Sequence, residues 1–199
     1  MGALSAQLSF DDFAGPLALT DRYFFALYPP LDVASGVGQI ALEQRKGRGL
    51  QGKPLLTDRF HVTLLHLGDY TEERPDIVSA ARAVAENLRA DAFDICFDRV
   101  ASFARKAAKA PLVLKGSEGV HDVIAFQQKL ANAMKRSSLH RLAKGSFTPH
   151  MTLLYDDQTV AEEPVQPVGW NVREFVLVRS LIGKTQHIVL GRWPLGSQP

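Results

Sequence analysis

Two short stretches of this chain are near copies of each other, FHVTLLHL at residues 60–67 and PHMTLLYD at residues 149–156. Each contains a histidine, a threonine two places on, and then two leucines. Short apolar runs of this kind are typical of buried strands, and side chains alternate between the two faces of a strand. We therefore predict two equivalent strands whose reactive faces carry His61 with Thr63 and His150 with Thr152.

The same alternation predicts which side chains point away from the reactive faces. On this pattern His66 lies on the face opposite to His61, and Tyr155 lies on the face opposite to His150. We therefore interpret His66 as a structural or surface residue outside the site.

Length and composition limit the class of protein. The chain has 199 residues, of which 46% are hydrophobic, with a formal net charge of +2 and a single cysteine. These apolar residues suffice for a buried core, and the small net charge does not indicate a dedicated nucleic-acid binder. One cysteine excludes an internal disulfide, and no apolar run approaches the length of a membrane span. We expect a cytoplasmic monomer without membrane contact, in which residues 1–20 form a flexible arm and residues 21–199 a single domain.

The remaining sequence predicts strands and helices that do not alternate regularly. The run RYFFALYPP predicts a strand that ends at two prolines, and apolar residues at helical spacing predict helices at about 31–46, from Pro75, and at about 120–135. Further strands are predicted at 92–104, 111–115, 170–182 and 186–193, with a polar loop at 156–168. This order lacks the βα alternation of a doubly wound sheet and favours an α+β fold with two helix-covered sheets, each carrying one His strand.

Two imidazoles and two hydroxyls suit the cleavage of a phosphodiester. Imidazole titrates near neutral pH, so one ring of a pair can accept a proton while the other donates one. The entering and departing oxygens lie on opposite sides of phosphorus, and His61 and His150 on facing strands can serve one each. The hydroxyls of Thr63 and Thr152 can donate hydrogen bonds to the non-bridging oxygens, where charge accumulates in the transition state. This chemistry demands no metal ion and no cofactor.

Two other interpretations explain the repeated motif less well. Zinc ligation is disfavoured because the sequence has neither an HExxH helix nor cysteine pairs. A purely structural repeat accounts for the leucines of both stretches but gives no reason for a titratable ring in each.

The paired motifs resemble the 2H phosphoesterase superfamily. Two HxT motifs whose histidines are 150 − 61 = 89 residues apart, with RYFFALYPP upstream, are similar to the bacterial RNA 2′,3′-cyclic phosphodiesterase group, often labelled the 2′-5′ RNA ligase family. The resemblance runs from about Arg22 to Leu195 and includes FTPHMTLLYD and the closing REFVLVRSLIGKTQHIVLGRWPL. It implies an α+β fold of two pseudo-twofold lobes, with mostly antiparallel sheets lining a central cleft and helices on the outside.

The resemblance also implies an activity and a role for each site residue. Family members open a 2′,3′-cyclic phosphate to a 2′-phosphate without a metal ion, and some relatives join RNA ends through a 2′-5′ linkage. By that pattern His61 protonates the departing 3′ oxygen, His150 activates water, and Thr63 and Thr152 hold the phosphate. The implied partner is RNA with a 2′,3′-cyclic phosphate end, or a cyclic nucleotide.

The chain departs from the family's common pattern near the first motif and near its C-terminus. The segment GKPLLTDRFHVTLLHLGDY lacks the Trp-Val and Glu-Asn-Leu of many relatives, and His187 stands where a tyrosine is frequent. We predict that His187 contacts the ligand in place of that tyrosine, and that Arg59 shares the strand face of His61. Basic residues at 45–53 and 105–109 are candidates for guiding an RNA backbone.

The sequence therefore predicts a cyclic phosphodiesterase acting on RNA ends or nucleotides. Two alternatives stay open. One is a non-catalytic module that binds nucleotides or RNA ends, and the other is a phosphodiesterase for a small cyclic ester such as ADP-ribose 1″,2″-cyclic phosphate.

Overall fold

The computed structural model describes residues 18–103, 109–142 and 146–196. In chain order the elements are β1 (Asp21–Leu27), α1 (Leu31–Arg48), β2 (Val62–Tyr70), α2 (Pro75–Glu86), β3 (Phe93–Ser102), β4 (Ala110–Lys115), α3 (His121–Lys135), β5 (His150–Asp156), β6 (Glu163–Val172), β7 (Glu174–Leu181) and β8 (Gln186–Pro194). Single turns of 3₁₀ helix lie at Thr57–Arg59 and His140–Leu142. Most of the predicted arm, residues 1–17, lies outside the described residues. No helix in the described ranges is both long enough and apolar enough to span a membrane.

The strands form one antiparallel sheet with the two His strands side by side at its centre. The strand order is β6-β3-β4-β5-β2-β1-β7-β8. Each half of the sheet contains a strand–helix–strand unit, β1-α1-β2 in one half and β4-α3-β5 in the other, and each unit ends in a His strand. This arrangement confirms the predicted α+β fold, although the two predicted sheets are joined at their His strands.

Local sequence explains where the helices begin and end. Pro75 occupies the first turn of α2, where its fixed φ suits a helix and its missing N–H costs nothing. The first helix ends at Gly49, whose φ of 67° is left-handed and whose N–H reaches back to the carbonyls of Arg45 and Lys46. Such a conformation strains most other residues, so glycine ends the helix there.

The sheet has a core face and a second, smaller apolar face. The core face packs against the helices and holds the main cluster of buried side chains, including Phe25, Leu64 and Met151. The other face carries a separate cluster of four buried residues, Phe24, Ala26, Val176 and Val178. We call this second surface the cleft face, because the side chains predicted to react lie on it.

One strand was missed, and one predicted strand is wrong in its extent. The predicted polar loop at 156–168 contains the start of β6, and the predicted strand at 170–182 is the end of β6 followed by β7, with Arg173 between them. Pro164 and Pro167 argued against a strand because proline cannot donate a ladder hydrogen bond. They are tolerated because β6 is an edge strand, where one side of the backbone needs no partner.

The predicted faces of His66 and Tyr155 are wrong because each His strand contains a bulge. In β2 the partners change from Phe25↔Leu65 to Ala26↔Thr63, so one residue is inserted and the alternation is reset. His66 then pairs with Phe24 and lies on the cleft face. β5 also contains one inserted residue, because successive residues of β4 pair with Leu154 and then with Thr152. The insertion places Tyr155 on the same face as His150 and Thr152.

Candidate functional site

A single backbone pair determines how the two motifs meet. β2 and β5 are antiparallel, with Val62 opposite Met151, and both of these side chains are fully buried on the core face. In an antiparallel register the residues one step to either side of a pair also lie opposite each other. The flanking residues are the four predicted site residues: His61 lies across from Thr152, and Thr63 lies across from His150. The structure therefore brings both motifs to one place on the cleft face.

Each motif histidine is held by its own backbone in the same way. Nδ1 of His61 lies 2.7 Å from the carbonyl oxygen of Arg59, and Nδ1 of His150 lies 2.7 Å from the carbonyl oxygen of Thr148. A carbonyl only accepts hydrogen bonds, so Nδ1 of both rings carries a proton and donates it. Proton transfer is therefore left to Nε2 in both rings. The two imidazoles are equivalent in tautomer as well as in sequence.

His61 lies among aromatic rings. The ring of Phe24 stacks on it at a centroid distance of 5.1 Å, and the ring of Tyr28 lies 5.9 Å away. Burial lowers the pKa of His61 to about 4, and the positive charges of Arg59 and of a protonated His150 lower it further. His61 is therefore neutral in the free protein at pH 7.

His150 has a simpler environment in the other half of the sheet. The edge of the Phe103 ring contacts it at a centroid distance of 4.8 Å. Burial lowers the pKa of His150, while the hydrogen bond to Thr148 opposes that shift. Lys115 pairs with His150 across β4 and β5, and its ammonium lies 2.5 Å from a carboxylate oxygen of Glu162. An ion-paired cation therefore occupies the strand position next to His150.

His187 joins the site from the edge strand β8. Its ring lies 5.1 Å from the ring of His61, and its Nδ1 lies 2.6 Å from the hydroxyl of Tyr28. Burial, followed by the charges of His61 and Arg59, lowers the pKa of His187 to about 3. Burial also raises the pKa of Tyr28 to about 12, so the phenol keeps its proton at neutral pH. A neutral imidazole–phenol pair therefore flanks His61, at the position that the sequence proposed for a ligand contact.

Arg59 is close to His61, but not through the predicted strand. It lies in the 3₁₀ turn before β2, and β2 begins only at Val62, so the expectation that Arg59 shares a strand face with His61 is wrong. Burial lowers the pKa of its guanidinium. Among the described residues, Nη1 of Arg59 is buried without a hydrogen-bond partner. The side chain as a whole is half-buried, and a buried cationic nitrogen of this kind is costly unless an anion binds it.

The bulges place His66 and Tyr155 on the cleft face, further along the His strands than the four motif residues. His66 is half-exposed, and its Nε2 lies 2.8 Å from a carboxylate oxygen of Asp69, which Arg22 also binds through two nitrogens at 2.7 and 2.6 Å. Tyr155 is 42% exposed. These residues extend the polar and aromatic surface around the motif histidines.

Sequence reasoning missed the aromatic residues that enclose the histidines. The sequence analysis selects neither Phe24, whose ring stacks on His61, nor Tyr28, whose ring lies beside it. A usable signal existed, because alternation along β1 puts Phe24, Ala26 and Tyr28 on one face. Phe103 carried no such signal, since a register shift in β3 resets its phase.

The predicted basic runs are divided between described and undescribed residues. Arg105 and Lys106 lie outside the described residues. In the same run Lys109 lies 3.6 Å from Asp157. In the run at 45–53, Arg48 forms an ion pair with Glu163. Guidance of RNA by these residues stays a prediction. Within the described ranges, no group of three or more His, Cys, Asp or Glu side chains is placed to hold a metal ion.

Comparison with known proteins finds a curated relative and solved structures that are similar to this chain. A curated protein from Escherichia coli (strain K12), RNA 2′,3′-cyclic phosphodiesterase, is 27% identical over 178 residues, which cover 87% of this chain and 96% of that protein. The crystal structure of E. coli LigT in its apo form superposes with a TM-score of 0.69 at 22% identity, covering 90% of this chain and all of that one. LigT complexed with ATP gives a TM-score of 0.66 at 22% identity, covering 89% of this chain and 99% of that one. The two structural comparisons show the same fold.

A family model identifies the chain directly. The model that matches residues 29–183 describes the 2′-5′ RNA ligase superfamily, and this range contains both HxT motifs. The match, the fold and the convergence of the two motifs agree with the predicted resemblance. The chain belongs to the 2′-5′ RNA ligase superfamily.

Proposed function

We propose that this protein is a phosphodiesterase that opens the 2′,3′-cyclic phosphate of RNA ends or nucleotides to a 2′-phosphate. The observation that carries the proposal is the shared setting of His61 and His150. Both rings donate Nδ1–H to a backbone carbonyl two residues upstream, and they flank the single pair that joins the two His strands. A structural role for the histidines gives no reason for this duplicated tautomer, whereas paired acid–base catalysis needs a free Nε2 on each ring.

The proposed reaction moves one proton at each side of phosphorus. Nε2 of His150 takes a proton from water as the water oxygen bonds to phosphorus. Nε2–H of His61 gives a proton to the 3′ oxygen as its bond to phosphorus breaks. The products are a 2′-phosphomonoester and a free 3′ hydroxyl, and the two rings exchange protons with solvent before the next cycle. If a 5′ hydroxyl takes the place of water, the same two proton transfers join it to phosphorus as the bond to the 3′ oxygen breaks, and the product is the 2′-5′ linkage that the superfamily name describes.

The phosphate is held by hydroxyls and by Arg59 in this proposal. Thr63 and Thr152 each lie across from a motif histidine, where their hydroxyls can donate to non-bridging oxygens. The buried Nη1 of Arg59, without a partner among the described residues, supplies a cation for the same group. A bound phosphate monoanion also raises the pKa of His61, because an opposite charge favours the imidazolium. Substrate binding therefore helps to protonate the acid.

The relatives support this assignment of substrate class. The E. coli relative is named as an RNA 2′,3′-cyclic phosphodiesterase, and LigT has been crystallised with ATP. RNA with a cyclic phosphate end, or a cyclic nucleotide, is accordingly the proposed substrate of this protein. No cofactor and no metal ion is part of the proposal.

The proposal is tested by phosphorus NMR of a 2′,3′-cyclic mononucleotide incubated with the protein, with and without EDTA. We expect a 2′-phosphomonoester in both samples, and a fall in rate of ~10²–10⁴ in His61→Ala and in His150→Ala, since each loses one proton transfer. The control is His140→Ala, which changes a histidine outside the cleft. Full activity in either motif variant removes that histidine from the mechanism. Saturable binding without any product identifies a binding module instead.

A further inference from the structure

Two cations continue the cleft face beyond His150, and the proposed chemistry uses neither of them. Lys115 pairs with His150 across β4 and β5, and Arg99 pairs with Lys115 across β3 and β4. Residues directly opposite in an antiparallel pair share a face, and neighbouring strands lie about 4.8 Å apart. The adjacent residues Val100 and Leu114 belong to the core cluster, so Arg99 and Lys115 lie on the cleft face. The three side chains therefore form a row across three strands.

The two cations of this row share one carboxylate. Glu162 accepts a hydrogen bond from the Lys115 ammonium at 2.5 Å through Oε2, and its Oε1 lies 3.8 Å from Nε of Arg99. Neither cation has another ion-pair partner among the described residues. Two positive charges thus face one negative charge, which leaves an excess of positive charge beside His150.

The shared carboxylate is free to move away. The Glu162 side chain is 44% exposed, and the residue lies just before β6 begins at Glu163. Rotation of this side chain into solvent therefore displaces no strand. An anion that binds Lys115 and Arg99 can take the place of the carboxylate without a change in the fold.

The position of the row indicates which anion it fits. The reacting phosphate already has a cation, because Arg59 is proposed to hold it. Lys115 lies one strand beyond His150 and Arg99 two strands beyond it, both on the side away from His61. An anion held by both cations therefore lies outside the space between the two motif histidines. In an RNA strand the next phosphate lies one ribose away from the reacting one, and Lys and Arg side chains are the usual ligands of such phosphates.

We infer that Lys115 and Arg99 bind the phosphate on the 5′ side of the nucleotide whose cyclic phosphate reacts, and that this phosphate displaces Glu162. The inference rests on the proposed function and makes it more specific. A phosphate replaces the negative charge of the carboxylate, whereas an uncharged 5′ hydroxyl does not. The exchange therefore favours substrates that carry a 5′ phosphate over cyclic nucleosides that lack one.

The test compares two substrates that differ only at the 5′ position, adenosine 2′,3′-cyclic phosphate and its 5′-phosphorylated form. The measured quantity is the preference for the 5′ phosphate, the ratio of the two kcat/KM values. We expect Lys115→Gln to lower this preference by roughly 3- to 10-fold, between the effect of an exposed ion pair and that of a buried one. Glu162→Gln is expected to raise the preference, because the phosphate no longer competes with a carboxylate. An ion pair that serves only stability is broken equally by both variants and gives no such opposite effects.

Arg74→Gln is the matched control. It breaks an ion pair with Asp76 at the start of α2, and it keeps the wild-type preference. Added salt provides a second measurement. The preference of the wild type falls as the salt concentration rises, and that of Lys115→Gln falls less steeply, because fewer cations contact the phosphate.

An unchanged preference in Lys115→Gln overturns the inference, and so does a lower preference in both Lys115→Gln and Glu162→Gln. If the wild-type protein cleaves neither compound, the proposed function fails, while the phosphate site is tested by calorimetric titration. The two probes are adenosine 2′,5′-bisphosphate and adenosine 2′-monophosphate. A smaller affinity ratio in Lys115→Gln and a larger one in Glu162→Gln support the site, and equal ratios in all variants overturn it.

Discussion

Replacing Arg59 with glutamine tests whether this residue binds the phosphate and lowers the pKa values of the neighbouring histidines. The variant removes a half-buried guanidinium whose Nη1 is buried without a partner among the described residues. The charge of this group lowers the pKa values of His61 and His187. A hydrogen bond to a charged group contributes about 1.5–3 kcal/mol. If Arg59 binds the phosphate, kcat/KM for a 2′,3′-cyclic nucleotide falls by roughly 10- to 150-fold, at about 1.36 kcal/mol per factor of ten.

The same variant also changes the pH dependence in a direction that a structural role does not explain. Without the positive charge the pKa of His61 rises, so the step of the kcat/KM profile that reports His61 moves to higher pH. The shift is a fraction of a pH unit, because burial and not Arg59 is the largest cause of the low pKa. Arg59→Lys keeps the charge but loses the planar fork, so it retains the wild-type profile with only part of the rate.

The assay is steady-state hydrolysis from pH 4.5 to 8.5 at constant ionic strength. Arg141→Gln, which removes an exposed arginine, is the control and leaves rate and profile unchanged. The thermal midpoint of Arg59→Gln is expected to equal or exceed that of the wild type, because the variant removes a charged group whose Nη1 is buried without a described partner. A wild-type rate and profile in Arg59→Gln refutes the assignment of Arg59 to the phosphate.

Further predictions follow from the histidines and from two backbone positions. The pKa values of both motif histidines are lowered from 6.5, so the singly protonated pair is populated below that pH. The kcat/KM optimum of the free enzyme is therefore expected on the acidic side of pH 6.5. An optimum above pH 7.5 contradicts this. In the folded state the pKa of His61 is about 4 and that of His187 about 3, so between these values and 6.5 the unfolded chain binds more protons and stability falls as pH falls. The urea midpoint is therefore lower at pH 5 than at pH 7, and less so in His187→Asn. Gly52→Ala places a Cβ against the carbonyl oxygen of Tyr155 and is expected to lower the free energy of unfolding in urea by about 1–3 kcal/mol. In the control Gly36→Ala the Cβ meets nothing within 4 Å, so this variant is expected to be as stable as the wild type or more stable. Thr185→Gly removes a strained left-handed residue and is expected to stabilise by up to about 1 kcal/mol by the same measurement.

Sequence patterns were informative where one local rule decided the outcome. The α2 start at Pro75, the end of α1 before Gly49, and the two His strands all follow from backbone preferences or short-range apolar patterns. The same patterns failed where a distant partner decided the outcome. β6 reads as a loop because of Pro164 and Pro167, and only its place at the edge of the sheet makes those prolines acceptable.

The site could be predicted in its centre but not in its surroundings. The sequence indicates four residues, His61, Thr63, His150 and Thr152, because the same histidine–threonine pair occurs twice. Packing alone gives no reason for a histidine in both copies. The enclosure by Phe24, Tyr28 and Phe103 depends on which face each strand turns to the cleft, and inserted residues in β2, β3 and β5 reset that choice. No local signal in the sequence marks those insertions.

The family, the α+β class and the four side chains proposed for the chemistry could be read from the sequence, because they depend on residue identity and on spacing along one strand. Sequence reasoning could not derive three features: the place of His66 and Tyr155 on the cleft face, the burial of Nη1 of Arg59, and the position of His187 beside His61. Face, burial and proximity are properties of pairs of segments, and strand register and packing between residues far apart in the chain set them.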